Sequence, residues 1–264
     1  MSDTASADSA TSDTVGLYDC RDTFAATLLA LAEADPRVGV VVNDSVGSSK
    51  RGGFKQRFPD RIANLGIAEP VMVGVAAGLA NGGKVPFVSA ASCFLTGRAL
   101  EQITADITYS NVNAKLTGQS SGVACGDLGP SQHSIGDFAG LRPLTKLTVI
   151  CPADPWQVEQ APIWAAGHDG PVDIRPSRSG VPALRVPGQV FAPHKAELLQ
   201  DGSDLTIIAC GTVVHLAVAA ADLLASDGIS ARVLNHASSN PLDATGIADR
   251  ARKVLPRKVL GRRV

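Results

Sequence analysis

Aromatic side chains make up only 4% of the 264 residues, and the 26 glycines follow no Gly-X-Y period. A collagen-like chain is thereby excluded. With 45% hydrophobic residues, the sequence is also too apolar for wholesale disorder. It has five cysteines, Cys20, Cys93, Cys125, Cys151 and Cys210, an odd number without a Cys-x-x-Cys pair. That pattern fits the reduced, buried thiols of a cytoplasmic protein better than a disulfide frame or a zinc site. Residues 1–16 lack Lys, Arg and any apolar stretch. No secretory signal is expected there, and the segment reads as a disordered tail. The most apolar region, 205–225, is interrupted by Gly211, His215 and Asp222, so it reads as strand, turn and helix and not as a membrane span. A broad basic face is missing too. Residues 250–264 hold seven Lys/Arg and no acids, leaving 17 bases against 25 acids elsewhere. An acidic body argues against nucleic acid as a partner. The P-loop lysine, Gly-x-Gly-x-x-Gly, His-Glu-x-x-His and Gly-x-Ser-x-Gly signatures are all absent. Kinase, dehydrogenase, zinc-protease and α/β-hydrolase readings therefore lack their motifs.

What is present is an alternation. Apolar, β-branched runs predict strands over 38–42, 61–66, 85–88, 114–117, 147–151 and 171–175. Between them, stripes of apolar residues at helical spacing predict helices over 22–34, 71–80, 97–109, 134–141 and 154–166. Strand and helix in turn predict an α/β fold with a doubly wound parallel sheet over residues 17–180. The Pro-rich segment 181–194 reads as a linker. Beyond it, a strand at 205–209, a helix at 212–226 and a strand at 230–234 begin a second, shortened α/β unit within 195–264. So few elements do not cover both faces of a sheet, and the unit is expected to be incomplete or finished by another chain.

Ligands of open α/β sheets bind at the carboxyl ends of the strands. Glu69 stands out there, at the junction of a strand-end loop and an apolar helix, followed by Pro70. By position alone it reads more readily as a helix cap than as a functional acid. The helix after it carries Gly74 and Gly78, a spacing suited to tight packing or to a dimer interface. Residues 126–133, Gly-Asp-Leu-Gly-Pro-Ser-Gln-His, are either a surface loop or polar groups aimed into a cleft. Arg175 and Arg178, in Ile-Arg-Pro-Ser-Arg, are either solvated loop residues or a phosphate clamp.

Five stretches together resemble the C-terminal subunit of split transketolases: Asn-Asp-Ser-Val-Gly-Ser-Ser-Lys (43–50), Phe-Pro-Asp-Arg-Ile-Ala-Asn-Leu-Gly-Ile-Ala-Glu (58–69), Val-Gly-Val-Ala-Ala-Gly-Leu-Ala (73–80), Phe-Leu-Thr-Gly-Arg-Ala-Leu-Glu-Gln-Ile (94–103) and Leu-Gly-Pro-Ser-Gln-His-Ser-Ile (128–135). The resemblance runs from about residue 18 to about 245. It implies thiamine diphosphate as cofactor and transfer of a two-carbon ketol unit between sugar phosphates. Glu69 would take the place of the glutamate that hydrogen-bonds N1′ of the aminopyrimidine, which reverses the cap reading. Phe94 would pack on that ring, with Ile67 and Ala68 lining the same pocket. His133 would face the sugar, and Arg178 with Arg175 would hold its phosphate.

This sequence departs from the family pattern in places. Ala91 stands where many relatives have a second aromatic, and Gln132 where many have histidine. The ending after residue 250 is unlike theirs, which raises truncation or a changed reading frame. The Gly-Asp-Gly…Asn magnesium loop of the family is absent. The resemblance therefore implies half a site, with Mg2+ bound by an N-terminal partner subunit and a dimer of heterodimers as the assembly. Two alternatives stay open. One is the β subunit of a 2-oxoacid dehydrogenase decarboxylase component. The other is a catalytically degenerate subunit that stabilises a partner.

Overall fold

The computed structural model describes residues 16–184 and 188–252. The expected tail, apart from Gly16, and the departing C-terminal stretch from residue 253 lie outside them. In chain order the elements are β1 (Tyr18–Asp19), α1 (Cys20–Ala34), β2 (Val38–Val42), α2 (Gly52–Arg57), β3 (Ile62–Asn64), α3 (Glu69–Asn81), β4 (Val85–Ala91) and α4 (Ser92–Gln102). They continue with β5 (Lys115–Gln119), α5 (Asp137–Leu141), β6 (Thr148–Ile150), α6 (Pro155–Gly167), β7 (Val172–Ile174) and β8 (Gly180–Val181). The last are β9 (Glu197–Gln200), β10 (Leu205–Ala209), α7 (Val214–Ser226), β11 (Ala231–Asn235), β12 (Ser238–Asn240) and α8 (Ala244–Arg252).

Alternation of side chains along a strand explains why a run such as Val38–Val42 is apolar on both sides. Val41 joins one core with Val88, Leu116 and Val149, under α3, α4 and α5. Val38, Val40 and Val42 join the other, with Phe87 and Ile174, against Phe24 and Leu28 of α1 and Val158 and Ala161 of α6. The sheet is thus covered on both faces. Its strand order is β12-β6-β7-β5-β4-β2-β3, parallel throughout except for β12. The doubly wound parallel sheet expected from the sequence is present. A second sheet, β10-β11-β9, packs on α7 around Ala217, Ala221 and Val233.

The second unit also contributes to the first. After β11 the chain crosses back, and β12 pairs antiparallel with β6 at the edge of the large sheet. The segment read as a linker likewise starts with a strand, since β8 pairs with β1. The helix expected to begin at residue 97 begins at Ser92, directly after β4, and continues as a π-helical segment, Ile103–Tyr109. Phe94 therefore sits on a helix and not in a loop. The start of α4 needs Gly118 beside it, because a Cβ there would stand 2.9 Å from Ser92 Oγ.

Candidate functional site

The loops leaving the carboxyl ends of β2, β3, β4 and β5 converge around the first turns of α3 and α4. Ala68 precedes α3 and makes no side-chain cap. Glu69, the first helical residue, does not cap either. Its side chain is buried, with 1% exposure. Asn43, just past β2, donates from Nδ2 to Glu69 Oε1 at 3.1 Å. Arg98 of α4, half exposed, brings Nη1 to 3.0 Å from Oε2. That contact is an ion pair without hydrogen-bond alignment, so Oε2 is a buried carboxylate oxygen with no hydrogen-bond partner. A buried polar atom in that condition is costly unless something else satisfies it. Asn43 fixes one oxygen and thereby aims the other.

Asn43 connects this carboxylate to a cavity of about 160 Å³, whose wall Glu69 itself does not form. Asn43, Asp44, Ala91, Phe94, Gln119, Gln132 and Arg178 are among the residues that line it. Ser89 accepts hydrogen bonds from Gln119 Nε2 at 3.4 Å and from Arg51 Nη2 at 3.2 Å. The Arg51 guanidinium is fully buried, lies 4.9 Å from the Phe24 ring, and is held down to a pKa of about 9 by burial. Its Nε and Nη1 are without hydrogen bonds.

The expected site residues divide. Phe94 and Arg178 line the cavity together. Arg178 is exposed, with Nη1 3.8 Å from Cys125 Sγ. Ile67 and Ala68 occupy the loop before Glu69 but line no part of this cavity; Ile67 is 67% exposed. His133 falls elsewhere. The 3-10 turn Pro130–Gln132 directs Gln132 into the cavity, and His133, in extended conformation, lines a separate one of about 320 Å³ with Cys93, Thr96 and Leu100. Gln132, not His133, is the polar residue of that loop on the Phe94 side.

Arg175 is also displaced from its expected role. Its side chain is 2% exposed and paired with Asp137, which it contacts through Nη2. Its Nη1 is 3.9 Å from Asp173 Oδ2, and its guanidinium lies 4.6 Å from the Phe138 ring centroid. Buried among these groups, it does not line the cavity that holds Phe94 and Arg178. Asp137 is the centre of this cluster. It accepts from Ser92 Oγ at 2.9 Å and from Ser134 Oγ, and so ties the start of α4 and the residue after His133 to β7. Burial alone would raise the Asp137 carboxyl, but Arg175 and the bonds from Ser134, Arg175 and Ser92 outweigh it and hold the carboxyl below its usual value. Sequence reasoning gave no role to Asn43, Arg98 or Asp137. The first two lie inside the motif blocks, whereas nothing local distinguishes Asp137.

Asp173 is the unsettled member. It is fully buried and neither oxygen is hydrogen-bonded. Burial, with the Asp137 charge adding and Arg175 opposing, raises its pKa to about 7 from 3.8. The folded chain keeps a proton on Asp173 that the unfolded chain releases above about 4. Stability gained at low pH is therefore lost as pH rises through about 7, by a few kcal/mol in order of magnitude. Asp173→Asn removes that loss. Its melting temperature relative to wild type is expected to climb as pH is raised from about 5 to about 8. A difference that stays flat across thermal melts in this range would show that Asp173 does not titrate there.

Known proteins share this outline. The profile described as "Transketolase, pyrimidine binding domain" matches residues 18–183, and "Transketolase, C-terminal domain" matches residues 194–256. The chain is 40% identical over 229 residues to an apulose-4-phosphate transketolase subunit of Phocaeicola vulgatus, covering 86% of this chain and 73% of that protein. It is 37% identical over 235 residues to the 6-deoxy-6-sulfo-D-fructose transketolase subunit SqwH of Clostridium sp. strain MSTE9, covering 88% and 72%. Among solved structures, a split-gene transketolase described as an inactive β4 tetramer superposes with a TM-score of 0.80 at 38% identity, over 88% of this chain and 76% of that one.

Proposed function

The chain belongs to the transketolase family, and from that premise we propose that it is the pyrimidine-side subunit of a split, thiamine-diphosphate-dependent transketolase of the cytoplasm. In this reading it moves a two-carbon ketol unit between sugar phosphates, together with an N-terminal partner subunit. The observation that carries the reading is Glu69 Oε2, buried and without a hydrogen-bond partner. A buried carboxylate, hydrogen-bonded at one oxygen by Asn43 of the cavity wall and met at the other by the half-exposed Arg98 without a hydrogen bond, fits a ligand that presents a ring nitrogen. Thiamine diphosphate, when bound, supplies the carbon nucleophile and electron sink for carbon–carbon cleavage beside a carbonyl. Glu69 would share a proton with N1′ of its aminopyrimidine through Oε2. Phe94 would give that ring an apolar face, and the exposed Ile67 would be covered in the complete site. Gln132 and Arg178, at the cavity wall, would meet the sugar and its phosphate.

We assign Mg2+ and the diphosphate to the partner. Among the described residues no group of three or more His, Cys, Asp or Glu side chains could hold a metal ion. The assembly would be a dimer of heterodimers. Among the described residues no helix is long and apolar enough to cross a membrane.

Mixing the chain with its partner tests the reading. Two-carbon transfer from a ketose phosphate to an aldose phosphate is expected from the mixture and from neither subunit alone. The isolated chain should bind thiamine diphosphate with magnesium more weakly than micromolar, because metal bridging of the diphosphate supplies much of the affinity. Carbon dioxide release from 2-oxoacids in place of transfer, or tight binding by the lone chain, would overturn the assignment.

A further inference from the structure

Two cysteines far apart in the chain meet away from the cavity. Cys151 directly follows β6 of the large sheet, and Cys210 directly follows β10 of the small one. Both strand ends are fastened to neighbouring residues of the connection between β11 and β12. The Cys151 N–H donates to Ala237 O at 2.6 Å, and the His236 N–H donates to Ala209 O at 2.9 Å. The backbones are close enough that a Cβ on Gly211 would stand 3.6 Å from Cys151 Cβ. Cys210 packs against the core that contains Cys151.

We propose that Cys151 and Cys210 are a reactive dithiol, a modification site that closes to a disulfide on contact with a peroxide and fastens the small sheet to the large one. The two sulfurs differ in a way that divides the labour. Cys210 is half-buried and open to a small oxidant, whereas Cys151 is 4% exposed. The hydrogen bond from Cys151, against burial and helped by Arg175, brings the Cys210 thiol down to about 7. Burial pushes Cys151 well above the ordinary thiol range, Cys20 up to about 12, and Cys93 upward. Cys210 is the thiolate-bearing partner, and the thiolate is the nucleophile.

The Cys210 thiolate attacks one peroxide oxygen. The O–O bond breaks, hydroxide leaves, and Cys210 becomes a sulfenic acid. The Cys151 sulfur then attacks the Cys210 sulfur and displaces the second hydroxide, which takes up the Cys151 proton. Two thiols and one hydrogen peroxide give one disulfide and two waters, with two electrons passing from the sulfurs to the peroxide.

All five cysteines are free in the reduced chain. Hydrogen peroxide followed by alkylation, digestion and mass spectrometry of the full chain is expected to show a 151–210 cross-linked peptide, with Cys20, Cys93 and Cys125 still alkylated. Cys151→Ser should leave Cys210 as a sulfenic acid trapped by dimedone, and Cys210→Ser should leave Cys151 unoxidised. The wild-type cross-link decides the matter even if a variant folds poorly. Oxidation of Cys93 or Cys125 ahead of the pair, or Cys210 found only in disulfides between chains, would overturn the proposal.

Discussion

Glu69→Gln is expected to lower kcat of the reconstituted two-subunit enzyme by about 10²- to 10⁴-fold, the usual contribution of a positioned acid–base group. The amide nearly matches the carboxylate in shape and keeps an oxygen that can accept from Asn43 Nδ2. At the position of Oε2 it presents an N–H in place of a proton-sharing oxygen. It also faces Arg98, which loses its ionic partner. A glutamate acting only as a helix cap would behave differently. Its loss would lower stability by about 0.5–2 kcal/mol, as for a capping group, and the melting temperature with it, and leave turnover nearly intact. The two readings therefore separate on two measurements: steady-state kinetics with the partner, and thermal melting of the chain alone. Loss of activity with unchanged melting is the expected pair. A fall in kcat of less than roughly threefold would return Glu69 to a structural role.

That carboxylate was legible because its neighbours form a motif block, and the large sheet because buried parallel strands are written as unbroken apolar runs such as 38–42 and 85–88. Elements held only by tertiary pairing were not legible. β12 is Ser-Ser-Asn, with no apolar period, and is a strand because β6 offers it an edge. α2 begins at Gly52-Gly53, a pair with poor helix propensity. Gln132 and His133 are adjacent in sequence, and only the geometry of a short 3-10 turn sends them to different cavities. Arg175 and Arg178 read as one pair, yet the first is committed to acids on β7 and α5 and the second is exposed at the site. Nothing within Ile-Arg-Pro-Ser-Arg distinguishes the two, because Asp137 lies 38 positions before Arg175.

Asp137→Ala is expected to destabilise the fold by about 3–5 kcal/mol, the range for removing one partner of a buried ion pair. Both side chains of the pair are 2% exposed, so solvent cannot replace the lost carboxylate. Ser92 and Ser134 lose their acceptor in the same step, which loosens the start of α4 and the segment after His133. Against a total stability of about 5–15 kcal/mol, the variant would be marginal. Asp173 modulates the outcome. With Asp137 gone, the charge that helped raise the Asp173 pKa is gone too, and Asp173 is left as the carboxylate beside Arg175. Asp173 should then ionise at lower pH and partly take over the pairing. The destabilisation, read from denaturant unfolding, should accordingly be smaller at about pH 8 than at about pH 5, where the proton must still be removed from Asp173 to form the substitute pair. In the double variant Asp137→Ala/Asp173→Asn this relief should vanish and the loss should exceed that of Asp137→Ala alone at about pH 8. A loss below about 1 kcal/mol in the single variant would mean that Arg175 finds solvent or another partner, and that Asp137 does not hold the cluster together.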